Sequence, residues 1–369
     1  MEQNPDNKSL MPTSEQITQA ANVLAQLPTG QIPEEISREI ERLWVTSIVR
    51  VVPLRQSEGK LQVLCSTSQD STMPSIDIAQ TWILPGDTEN GLGGTIQRAC
   101  HTMLGSNDTM PYKYLQSAFY EDENGAKNVA TYCVDLTNID TPAHSTWINF
   151  DDISSDNAIV DTIVPELKNA FIKDVQFDEV TQEGYMTTQG IASEQSDHET
   201  QMPTSEQITQ AAKVLTQLQT GVVPLEIFHE ITRLWVTSIV EVVPLRIVDG
   251  KVQVLLLQRP DDDPNWPSMK HSPGTVLRAT DVTEGIPSAI SRIYNKELGI
   301  EEWQEPQYVQ PIFHQVNRGA EMAQVFYIDL TYQEVNGEWY DADALPKDIV
   351  DTQLSFIQAA VNKYTTDKQ

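Results

Sequence analysis

Residues 11–55 read MPTSEQITQAANVLAQLPTGQIPEEISREIERLWVTSIVRVVPLR, and residues 202–246 read MPTSEQITQAAKVLTQLQTGVVPLEIFHEITRLWVTSIVEVVPLR. Of the 45 aligned positions, 35 are identical without a gap. The interval of 191 residues (202 − 11) is far longer than the roughly 20–50 residues of a solenoid repeat, so it marks a duplicated domain. The likeness then thins without vanishing. Gly59-Lys60 aligns with Gly250-Lys251, Pro85-Gly86 with Pro273-Gly274, Arg98 with Arg292, Leu104-Gly105 with Leu298-Gly299, and Trp147 with Trp339. Val160-Asp161-Thr162 aligns with Val350-Asp351-Thr352.

Between the copies, residues 174–201 hold seven acids and no Lys or Arg. Such a segment has little to bury and reads as a solvated linker. The expected organisation is a first domain over 11–173, a linker over 174–201 and a second domain over 202–366.

Each copy opens with two helix signals. Thr13 and Thr204 begin Thr-x-x-Gln capping boxes ahead of an apolar series at helical spacing. Pro33 suits the first turn of a second helix, with Ile36, Ile40 and Leu43 as its buried stripe. Strand signals follow at 236–245 and 251–258, split by Val248-Asp249-Gly250, a good hairpin turn. A helix is expected near 286–298, stopped by Gly299, then a strand at 323–331 and a last helix near 347–364. Strands and helices interleave without regular alternation, so the expected fold is α+β: two α/β/α sandwiches with mixed sheets, each preceded by a two-helix extension.

The chain carries 53 acids against 24 Lys and Arg, a formal charge of −29. Such a surface repels nucleic acid and anionic membranes. Three cysteines at no metal-ligand spacing suggest a reducing compartment. The polar first ten residues and the lack of a long apolar run point to a cytoplasmic protein.

The run from Arg259 to Ile300 resembles the Nudix hydrolases. The family box is G-x5-E-x7-R-E-U-x-E-E-x-G-U, with U aliphatic. Glu284 and Arg292 keep the E-x7-R spacing, and Arg292 to Ile300 fits the second half of the box position by position. Gln258-Arg259-Pro260, Trp266-Pro267 and Pro273-Gly274 are similar to the approach to that box, with a longer loop. The resemblance implies hydrolysis of a nucleoside diphosphate linked to another group, acting on a phosphoric anhydride bond with Mg²⁺ or Mn²⁺. Magnesium takes hard oxygen ligands and polarises phosphorus toward water. Here two of the three metal positions are Ile293 and Lys296, and only Glu297 remains.

The resemblance therefore gives Glu297 and Glu321 the catalytic and metal-binding roles. It gives Arg259, Gly274 and Lys296 to substrate, and Glu284 to bracing Arg292. In the first copy, Arg98 to Ser106 holds no carboxylate and Lys127 takes the Glu321 position, so that copy is expected to be non-catalytic. Other signals have blander readings. Cys100 is expected to be structural, Gly91 to Gly94 a flexible loop, Asp261 to Asp263 a turn, and His271 and His314 surface or core residues. Two readings stay open: a hydrolase active in the second copy, and a catalytically inactive tandem binding or scaffold protein. The expected partner is a nucleotide-like small molecule, or in the second reading a protein, and a further, purely structural reading has the copies pack as an intramolecular pseudo-dimer.

Overall fold

The computed structural model describes residues 11–66, 75–76, 78–105, 110–137, 145–149, 152, 202–300, 304–331, 333 and 335–369. The linker expected at 174–201 lies outside the described residues, as does Val160-Asp161-Thr162.

The extension helices are α1 (Ser14–Ala25) and α2 (Glu34–Leu43) in the first copy. In the second they are α4 (Ser205–Thr216) and α5 (Leu225–Leu234), after α3 (Gly91–Leu104) of the first. Both capping boxes form. Gln16 donates its backbone N–H to the Thr13 hydroxyl at 3.3 Å, and the Thr13 N–H returns to the Gln16 amide oxygen at 2.8 Å. Thr204 and Gln207 repeat the pair at the same distances. Two of the otherwise orphaned N-terminal donors are satisfied in this way. Buried residues from all four extension helices, among them Leu24, Ile40, Leu215 and Ile231, form one apolar cluster.

Each copy then builds a seven-stranded mixed sheet. In the first the order is β3-β2-β1-β6-β5, with β4 also on β1 and β7 also on β2. These strands are β1 (Thr46–Ser57), β2 (Lys60–Ser66), β3 (Ser75–Ile76), β4 (Ala79–Trp82), β5 (Tyr112–Asp122), β6 (Gly125–Asp135) and β7 (Ser145–Asn149). The second sheet repeats the plan as β10-β9-β8-β13-β12, with β11 on β8 and β14 on β9. Its strands are β8 (Thr237–Val248), β9 (Lys251–Gln258), β10 (Lys270–His271), β11 (Gly274–Val276), β12 (Gln307–Val316), β13 (Gly319–Asp329) and β14 (Glu338–Asp341). Among the described strand pairs, β1–β6 and β8–β13 run parallel and the others antiparallel. The α+β expectation with mixed sheets holds.

Strand β8 explains its own composition. Val240 and Val242 pack with helix α6 (Ile286–Ile293) on one face. Ile239, Val243 and Leu245 pack with helix α7 (Gln353–Asp367) on the other. A strand covered on both sides reads as a continuous apolar run rather than an alternation. Asp249 and Gly250 make the hairpin turn, both with positive φ (50° and 78°), as a primed turn requires. Helix α6 continues into a π-helical segment, Tyr294–Leu298, and stops at Gly299, which is left-handed at φ 69°. The last helix starts six residues later than the expected 347.

The hairpin tips at Gly125 and Gly319 have φ of 110° and 143°. A Cβ there would collide with the carbonyl of Glu41 or of Thr232, so each tip can sit on the end of an extension helix only as glycine. The strand register also corrects one alignment. Gly274 pairs with Glu241 on β8, while Gln80 pairs with Arg50 on β1. Glu241 and Arg50 are 191 apart, so the counterpart of Gly274 is Gln80, and Pro85-Gly86 instead opens a 3-10 turn, Pro85–Asn90. Nor are Gly91 to Gly94 a loop, since they form the first turn of α3.

Candidate functional site in the second copy

A cleft of ≈ 580 Å³ opens beside the ends of β9 and β10, with Arg259, Lys270, His271, Glu297 and Glu338 on its wall. Arg259 donates to Asp263 at 3.0 Å and lies 4.9 Å from the Trp266 ring centre. Asp263 is itself held by the N–H groups of Asn265 and Trp266, so the acid triplet is a turn that positions Arg259. The buried Arg259 Nε has no hydrogen-bond partner. Lys270 donates to Gln258 and Glu338, each at 3.0 Å.

Glu297, on the π-helical turn, accepts the Gly274 N–H at 3.3 Å. Burial pushes its carboxyl up to about 7, against the pull of that N–H and of Arg259. Burial and the nearby Arg259 charge hold His271 down at about 4, so its ring is neutral near pH 7. Its Nδ1 donates to the Ser272 carbonyl at 2.7 Å, because a carbonyl can only accept.

Behind this wall lies a carboxylate that sequence reasoning missed. Glu241 is 7% exposed and accepts from the Ser272 hydroxyl at 3.2 Å and the Gln353 amide at 3.4 Å. Burial first, and then Glu321, lift its pKa well above the carboxylate range. A Cβ on Gly274 would meet this carboxyl group, so any larger residue there would force the Glu241 side chain to shift. The signal was present: a lone charge in the apolar run SIVEVVPL, where the first copy has Arg50.

Glu321 pairs with His314 at 3.2 Å and with Arg318. Burial alone would raise it, but these partners outweigh burial and hold it below its usual value. Its charge is thus already compensated. Lys296 is exposed and is not among the residues of the cleft wall. Glu284 is exposed too, and it does not brace Arg292. That partner is Asp281, 4% exposed, gripped by both arms of the guanidinium, with the Arg292 Nη2–Asp281 Oδ2 bond at 2.9 Å. The same guanidinium reaches the Val276 carbonyl at 3.0 Å. The first copy repeats the brace, Arg98 on Asp87 and on the Trp82 carbonyl. Both acids sit 11 residues before their arginine (292 − 281; 98 − 87), rather than the eight of the family spacing.

The family's metal would need several ionised carboxylates around one point. Among the described residues, no group of three or more His, Cys, Asp or Glu can hold a metal ion. Glu321 is held by Arg318 and His314, Glu241 is buried behind the wall, and of these three only Glu297 lines the cleft. The residues present do not fit Mg²⁺ or Mn²⁺. In the first copy, Lys127 replaces Glu321 and is bound at 3.1 Å by Glu41. Cys100 is buried, and burial pushes its thiol up to about 11, which suits a structural role.

Neither a protein-family model nor a curated protein matches the chain. Among solved structures it is similar to the NUDIX domain of Shewanella oneidensis NrtR complexed with ADP ribose. That match has 18% identity over 35% of this chain and 88% of that one, with a TM-score of 0.30. It is similar to a Caenorhabditis elegans Ap4A hydrolase at 17% identity over 35% of this chain and 98% of that one, TM-score 0.27. It is similar to a MutT NUDIX hydrolase from Burkholderia pseudomallei at 19% identity over 33% of this chain and 97% of that one, TM-score 0.27. These similar structures are Nudix domains, and each spans about a third of this chain.

Proposed function

We propose that this is a tandem Nudix-like protein whose second copy, within 202–366, binds a nucleotide-like small molecule, a nucleoside diphosphate joined to another group, without a divalent metal. The first copy, within 11–173, is a non-catalytic partner, and the two associate as an intramolecular pseudo-dimer across the 174–201 linker. The observation that carries the reading is the cleft itself. On a chain of net charge −29, it gathers Arg259 and Lys270 on one wall. Arg259 is braced by Asp263 and Trp266, so little side-chain entropy is lost when it meets a phosphate. Glu297, raised to about 7, is half-neutral at physiological pH and repels an anion less than an ordinary carboxylate does. The pairing rests on the shared helix cluster and on the 2.7 Å bond between the Ser47 and Ser238 hydroxyls.

Calorimetric titration of ADP-ribose into the full chain in EDTA tests the reading. Saturable binding is expected, weakened about tenfold or more by Arg259→Ala. No binding in EDTA would overturn it. So would metal-dependent turnover of ADP-ribose that Glu297→Gln abolishes.

A further inference from the structure

The duplicated extension differs at one position that leaves a hole. Ser37 stands where the second copy has Phe228 (228 − 191 = 37). Phe228 lays its ring 5.3 Å from that of Trp44, edge to face at 67°. The twin of Trp44 is Trp235, and Ser37 brings it no phenyl group. Trp82 comes within 5.1 Å of Trp235 at a tilt of 51°, yet remains 41% exposed. Beside the two indoles a pocket of ≈ 100 Å³ remains, with Ser37, Thr46, Trp82, Leu84, Leu234 and Trp235 on its wall. Both copies contribute to it.

Its chemistry is restrictive. Among the described residues no ionisable side chain lines it, so an ionised ligand would lose its hydration with nothing in return. The volume compares with the cavity of about 150 Å³ that stays dry and takes up benzene. Thr46 lines the pocket, is fully buried, and its Oγ1 has no hydrogen-bond partner. Thr237, its twin, is also unpaired, so what distinguishes Thr46 is the open space beside it.

We propose that this pocket is a binding site for a neutral, phenyl-sized aromatic group carrying one hydroxyl. The ring lies over Ser37, beside the paired indoles of Trp82 and Trp235. The hydroxyl meets Thr46 Oγ1.

Phenol is the probe, titrated into the full chain and followed by the indole N–H resonances of Trp82 and Trp235. One saturable site per chain is expected. Toluene should bind several-fold more weakly, and benzoate at pH 8 at least tenfold more weakly. Thr46→Val should bring phenol to the level of toluene. Ser37→Phe should abolish binding and raise the melting temperature by filling the hole. If that variant does not fold, Ser37→Leu should weaken phenol at least tenfold. Absence of saturation, equal affinity for benzoate, or unchanged affinity in a folded pocket-filling variant would each overturn the proposal.

Discussion

Arg42 and Arg233, related by the 191-residue repeat, each reach into the other copy to hold the end of its first helix. Arg42 donates to the carbonyls of Leu215 at 2.7 Å and Leu218 at 3.2 Å. Arg233 donates to those of Leu24 at 2.7 Å and Leu27 at 3.0 Å. Each guanidinium thus adds a charged donor to carbonyls of the last helical turn and sits at the negative end of its dipole. Each is also fixed by a local acid, Glu39 or Glu230.

Removing either arginine uncaps a helix in the opposite copy. Arg42→Ala and Arg233→Ala should each lower unfolding stability by about 1–3 kcal/mol, read by urea denaturation of the full chain. Equal losses are expected, because the two contacts are near-copies. A loss confined to one variant would show that the exchange is not reciprocal.

The serines at the repeat axis should not be equivalent. The Ser238 hydroxyl meets Ser47 at 2.7 Å and also accepts from the Asn128 amide at 3.2 Å. Asn128 is in turn bound by Gln324 at 2.9 Å. Ser238→Ala strips two partners in a fully buried network, whereas Ser47→Ala strips one. The expected costs are about 1–3 kcal/mol for Ser238→Ala and nearer 1 kcal/mol for Ser47→Ala, measured as shifts in the denaturation midpoint.

The bracing acid can be told apart by substitution. Asp281→Ala leaves the largely buried Arg292 without its partner and should cost about 3–5 kcal/mol. Glu284→Ala, on an exposed residue, should stay within about 0.5 kcal/mol. Thermal unfolding of the two variants checks this, and a larger loss at Glu284 would restore it as the brace.

Two buried carboxyls of the second copy, Glu297 and Glu241, make stability fall with rising pH. The Glu297 carboxyl is raised from 4.5 to about 7 in the folded state, so the folded protein holds more protons than the unfolded chain between those values. Its cost is absent below pH 4.5, grows through that window and is complete above about pH 7. Glu241, also raised, adds to the same trend. His271 acts in reverse: its folded value of about 4 removes stability as pH falls from about 6.5 toward 4. Glu297→Gln should therefore stabilise the protein at pH 8, by on the order of 1–3 kcal/mol, and leave it unchanged at pH 4. Melting temperatures of both proteins across pH 4–8 check that the two curves meet at low pH and separate as pH rises.

The features legible in the residue string were local ones. The capping boxes at Thr13 and Thr204, the Asp249-Gly250 turn and the Gly299 stop each depend on a few neighbouring residues, and each formed as expected. The duplication also needed nothing beyond the string, because 35 identities in 45 positions speak for themselves. The site was legible only in part. The family box and its flanking residues led to Glu297 and Arg259, which line the cleft, but Glu284, expected to brace Arg292, gives way there to Asp281.

The misplaced brace and the missed Glu241 share a cause. Spacing along a helix says which face a residue occupies, not which group arrives opposite it. Asp281 reaches Arg292 because a 3-10 turn folds it back under the helix. Glu241 meets Gly274, Ser272 and Gln353 because antiparallel register and the last helix bring residues 31–112 positions away to one strand. Ser37 became a hole only when Trp235, from the other copy, was placed beside it. Local propensity and repetition were enough for the elements and their duplication, whereas charge compensation and empty space, which depend on distant side chains meeting, took form only in the packed molecule.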